Sequence, residues 1–132
     1  MMNREIRLKY GLQTFLAHPH MPADQGGSSA ASELGMGVHG GMDETSVMLH
    51  LRPDLVDMSL AVRRVPEKLA ENEQVRFGGR VAFGWLSNDF FADGHIGDPT
   101  GASAEIGGQM FASAVDSLCG AMREISTFDF GR

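Results

Sequence analysis

The stretch HGGMDETSVMLHLRPDLVDM, residues 39–58, opens on a histidine followed by two glycines and runs straight into an acidic helix start. Asp43 is placed to cap that helix, and Glu44 lies in its first turn, where negative charge is favoured. Val47, Met48 and Leu51 form an apolar face, and Pro53 stops the helix. The glycines let backbone approach a ligand closely. The helix start offers free N–H groups to an anion. An imidazole titrates near neutral pH and suits proton transfer. A glutamate at position 44 can orient that imidazole, bind a cationic group or coordinate a metal. His39 and Glu44 are therefore the candidate catalytic residues. The competing reading is a loop histidine beside a glutamate that only complements the helix dipole.

Upstream, residues 21–41 are the least regular part of the chain and hold six of its seventeen glycines. A loop of that length in a small domain points to function or disorder. Before it, Leu12–Ala17 (LQTFLA) is an apolar run expected as a buried strand. Residues 3–10 read as the end of a helix, with Ile6 and Tyr10 on one face and Gly11 just past its C-terminus. Downstream, residues 54–77 mix charge with short apolar patches and read as a surface excursion. Arg80–Trp85 (RVAFGW) is expected as a second strand, followed by a turn-rich loop over 86–98. Asp98-Pro99 is a helix-start signal. The helix is expected to run to about Ile125, with Ile106, Met110, Ala114, Leu118, Met122 and Ile125 as its apolar stripe. Gly107, Gly108 and Gly120 interrupt it at about 1 kcal/mol each relative to Ala, which suggests close packing against a neighbour. Strands separated by helices suggest α/β layers. Two strands make a thin sheet, because parallel sheets need cover on both faces.

Composition narrows the class. The 132 residues are 42% hydrophobic and 21% charged, ordinary values for a globular chain. Length fits a single domain over 1–132, or a piece of one. Eleven basic against seventeen acidic residues give a net charge of −6. With no basic run, nonspecific nucleic-acid binding is excluded. No stretch of about 18 apolar residues exists to span a membrane, and the N-terminus lacks the apolar core of a signal peptide. The expected location is cytoplasmic. The one cysteine, Cys119, cannot form an internal disulfide and is expected as a small buried apolar residue.

Two segments carry a family resemblance. Residues 39–58 resemble the signature of the creatininase (creatinine amidohydrolase) family, in which a His-Ala-Gly segment leads into Glu-Thr-Ser and a helix ending in Leu-Arg-Pro. His39, Gly41, Glu44, Thr45, Ser46, Leu51, Arg52 and Pro53 match in order and spacing. Residues 79–111 resemble the family's C-terminal segment through Trp85, Gly94, Gly97-Asp98-Pro99, Ala102, Ala104-Glu105 and Gly107. The resemblance implies a three-layer α/β/α fold with a mostly parallel sheet, and metal-dependent hydrolysis of a non-peptide C–N bond in a cyclic or related small amide. It implies a pair of divalent metals, zinc or manganese, that activate water. The residue matching His39 serves there as proton carrier or substrate contact, and the one matching Glu44 belongs to the same site. It also implies homo-oligomers.

The departures are as informative. Family members are about twice this length, and their N-terminal half carries a Glu-x-His pair, an Asp and a His-rich glycine segment that complete the metal site. None of these is found here, so the expectation is the C-terminal half of a creatininase-like domain, truncated at its N-terminus. No residue is assigned as a metal ligand, and metal binding by this chain alone is not expected. His18 and His20 flank Pro19 as a surface pair. His50 is expected on the helix surface or packed, and His95 as a solvated loop residue. Trp85, Asp98 and Glu105 have structural readings: a packed strand end, a helix start and a dipole partner. The rival to a hydrolase is a non-catalytic creatininase-like protein, a truncated product or structural partner of a full-length relative. A third reading is an acidic small-molecule module using the 21–41 loop.

Overall fold

A computed structural model describes residues 2–17 and 30–131. His18, His20 and most of the 21–41 loop lie outside the described residues. The chain divides into two compact units, Met1–His20 with Ser113–Arg132, and Met21–Ala112.

In the first unit, α1 spans Met2–Tyr10. Gly11 follows in the left-handed region (φ +67°), and its N–H donates to the Arg7 carbonyl at 3.0 Å, which closes the helix as expected. Leu12–Ala17 has no regular structure and is not a strand. An extended segment becomes a strand only through a ladder of partners, and no ladder forms there among the described residues. Phe15 packs edge-on against Phe128 at 5.6 Å between centroids, and Arg7 lies over the Phe130 ring. An apolar cavity of about 360 Å³ opens among these groups, lined by Leu8, Phe15, Phe128 and Phe130. None of the motif residues lines it.

The second unit holds the buried apolar side chains Met36, Val65, Ile96 and Met110. Its first long element is α2, Met42–Leu51. Gly41 rather than Asp43 is the N-cap, with no side-chain cap. Pro53 ends α2 as expected and opens a 3₁₀ turn, Pro53–Leu55. A single-turn α3 covers Glu67–Ala70. Arg80–Trp85 is not a strand either: Arg80 and Val81 lie in a bend, and the Val81 N–H donates to the Gln74 carbonyl at 3.1 Å. The sheet pairing among the described residues is two isolated antiparallel bridges, His39 to Ile96 and Arg64 to Gly97.

Asp98-Pro99 does start a helical turn, but a short 3₁₀ one, Pro99–Gly101. The long helix α4 begins later, at Ala104, and runs 24 residues to Thr127. Its expected stripe is only partly covered. Met110 is fully buried, while Leu118 is 42% and Met122 58% exposed. Cys119 is exposed, not buried, because it lies on the open side of that helix. At the start of α4, Gly107 faces the Ser46 carbonyl so closely that a Cβ would collide with the α2 backbone. Gly108 makes room for the His50 ring, which also lies 6.0 Å from Phe111. Gly107 and Gly108 thus have the packing reason expected of them, whereas Gly120 faces open space. No helix among the described residues is long and apolar enough to cross a membrane.

Candidate active site

His39 sits where the glycine-rich segment meets Ile96. Its N–H donates to the Ile96 carbonyl and the Ile96 N–H donates back, both at 3.0 Å. Because Ile96 is buried, this reciprocal pair anchors an exposed imidazole to the core. The ring faces Trp85, 6.2 Å between centroids. Trp85 is half-buried among Phe77, Phe83 and Phe90, with Phe77 4.9 Å away, so the wall beside His39 is aromatic.

After His39 the chain must turn sharply into α2. Gly40 does so at φ +67°, where a side chain would be strained. Its N–H donates to Glu44 Oε2 at 2.5 Å. Glu44 is thereby tied back to the residue next to His39, and its carboxylate complements the start of α2. The structure brings the two candidate residues into one turn.

The expected free anion site at that helix start is partly filled by the chain itself. The Gly40 amide is taken by Glu44, and the Met42 amide by Glu33 Oε1 at 3.0 Å. The chain's own carboxylates thus take amides that an external anion would use.

Glu33 is the residue that the sequence reading missed. It is 1% exposed, and the same Oε1 also accepts from the Asp98 N–H at 2.8 Å. The one available signal was that Glu33 is the only Asp, Glu, Lys or Arg between residues 25 and 42. Together with Gly37, Val38, Gly41, Met42, Asp43 and Glu44 it lines a cavity of about 250 Å³.

Asp98 is 4% exposed and caps its turn by accepting from the Thr100 N–H at 3.1 Å and hydroxyl at 2.6 Å. Burial pushes its carboxyl up, but the Thr100 bonds and the Arg63 guanidinium at 4.0 Å outweigh that and hold it below the usual carboxylate range. His95 is not solvated: it packs over Gly40, with its Nε2 buried and unpaired. Glu105 lies exposed in the first turn of α4, as a dipole partner would.

No group of three or more His, Cys, Asp or Glu side chains among the described residues could hold a metal ion. His39 and Glu44 share a turn, but no third donor joins them. The described residues do not fit a metal centre.

Comparison places these features in one family. Residues 2–122 match the creatininase (creatinine amidohydrolase) family model, and the chain belongs to that family. The structure is similar to that of a putative creatinine amidohydrolase from Bacteroides fragilis NCTC 9343, with a TM-score of 0.68 and 23% identity. The match covers 99% of this chain and 50% of that one. It is also similar to a tryptophan-to-phenylalanine mutant of creatininase, with a TM-score of 0.54 and 28% identity, over 92% of this chain and 46% of that one. The chain thus spans about half the length of the solved structures it matches. No curated protein matches. The likeness fits an α/β fold, although the described residues are mostly helical and form no sheet.

Proposed function

We propose that this chain supplies the His39–Glu44 side of a creatininase-type amidohydrolase, acting on the non-peptide C–N bond of a cyclic or related small amide. The observation that carries the reading is the turn itself. The backbone of His39 is anchored to Ile96 while its ring is exposed, and Glu44 closes the loop through Gly40. Such an imidazole can take a proton from a nucleophile or give one to a leaving nitrogen. Glu44 orients the loop that presents it. The complete domain is a three-layer α/β/α structure with a mostly parallel sheet, of which this chain provides the C-terminal half.

The family is metal-dependent, and zinc or manganese belongs to this reading. Any such ion is held by residues beyond the described set. The partner that supplies them is then a full-length relative, and copies of this chain associate without completing the metal site. Calorimetric titration of the purified chain with zinc or manganese should show no tight stoichiometric binding. Creatinine hydrolysis should be absent for the chain alone and appear on mixing with a full-length relative made inactive at the position matching His39. Tight metal binding by the chain alone would overturn this division of labour.

The second reading is a non-catalytic creatininase-like structural partner. The lack of a metal-holding group among the described residues favours it. A mixture in which His39→Ala behaves as the wild type would support that reading against the first.

A further inference from the structure

Glu33 is a buried ionisable side chain for which the hydrolase reading has no task. A single oxygen, Oε1, accepts from Met42 N–H and Asp98 N–H, at 3.0 and 2.8 Å. Met42 opens α2, three residues after His39. Asp98 belongs to the Gly97-Asp98-Pro99 turn, more than fifty residues further on. One carboxylate therefore joins the two signature segments, and carboxylate acceptors make stronger bonds than neutral ones.

The glycines around it report the same constraint independently. Gly41 has φ −83° and ψ −163°, extended backbone that any residue adopts. Gly37 is likewise absent from the positive-φ glycines. Neither position needs glycine for its backbone. A Cβ on either would meet Glu33, and for both glycines the three nearest atoms all belong to that carboxyl group. Gly97 differs: its Cβ would meet the Gly41 backbone as well as Glu33 Oε1 at 3.1 Å. Gly41 of the motif, and Gly37 just before it, are thus shaped by a side chain outside the motif.

We propose that Glu33 is a positioning residue: it locks the His39–Met42 turn to the Gly97–Asp98 turn and so fixes where the His39 imidazole stands beside Trp85. The Ile96 bonds brace the backbone of His39 on one side, and the Glu33 bonds brace the following turn on the other. Removing the carboxylate frees the turn to rotate about the Ile96 pair and carries the imidazole off the indole.

The test needs no turnover, so it stands or falls separately from the hydrolase reading. Trp85 is the single tryptophan, so its emission reports on its neighbours alone. An imidazole in contact with an indole quenches it. His39→Ala should raise Trp85 emission in the wild-type background, and this rise should be lost in Glu33→Ala. Glu33→Gln keeps a carbonyl acceptor and should restore it. In denaturant unfolding, Gly41→Ala should be costly with Glu33 present and lose that cost in Glu33→Ala. Gly97→Ala should stay costly in both. A His39-dependent rise of equal size in Glu33→Ala would overturn the proposal, as would a Gly41→Ala penalty independent of Glu33. If Glu33→Ala does not fold, amide spectra of Glu33→Asp, whose shorter side chain cannot reach both amides, decide. Shifts at Met42, Asp98 and His39 support the positioning role, and an unmoved His39 overturns it.

Discussion

Asp98 shows how a buried acid ties stability to pH. Its folded carboxyl lies below the ordinary range because the Thr100 bonds and Arg63 outweigh burial. The unfolded state therefore takes up the proton first as pH falls. The contribution is complete above the unfolded carboxyl value near 3.9 and is lost as pH drops through the folded value. Unfolding free energy should decline on that acid limb, and Asp98→Asn should flatten the decline. Asp98→Ala should cost about 0.5–2 kcal/mol at neutral pH, the usual size for a lost cap, by urea denaturation. Ser46 makes a second case at this scale. It is fully buried, and its Oγ accepts from the Ser103 N–H at 3.2 Å. Ser46→Ala leaves that amide without its partner and should cost about 1–3 kcal/mol in the same assay. Neither Ser46's task nor Glu33's was legible from local sequence, because each has a partner more than fifty residues away, Ser103 and Asp98.

Elements were legible in proportion to how locally they are determined. α1, α2 and α4 announce themselves through periodicity, through Gly11 and through the proline that follows α2. Asp98-Pro99 correctly marked a turn, but the turn is separated from α4 because the chain must first cross the buried Ser46. The expected strands failed for the opposite reason. Leu12–Ala17 and Arg80–Trp85 have strand-like composition, yet pairing is a property of two segments, and the pairing described here lies elsewhere, at His39–Ile96 and Arg64–Gly97. At the site, the closeness of Glu44 to the backbone beside His39 was readable because only four residues separate the two, and Glu44 accepts from the Gly40 N–H. On α4, where Leu118 is 42% exposed, Leu118→Asp measured at high dilution should change unfolding free energy by no more than about 0.5 kcal/mol. A loss well above 1 kcal/mol would show that this face is covered in solution.

Across the described residues, four apolar side chains are buried while twenty-one large ones are exposed. That balance is unfavourable for an isolated chain, since exposed apolar surface is removed from water by association. Sedimentation should therefore show self-association that rises with concentration. Leu118→Asp combined with Met122→Asp should shift the distribution toward monomer, and a compact monomer at all concentrations would contradict the expectation.

The meeting of Gly107 with the Ser46 carbonyl has a mechanical side. Side chains between helices act as springs: they change rotamer and absorb small displacements. Here backbone rests on backbone, and no spring is interposed. A displacement of α2 at Ser46 would therefore meet the first turn of α4 directly, at a residue that has no side chain to give way.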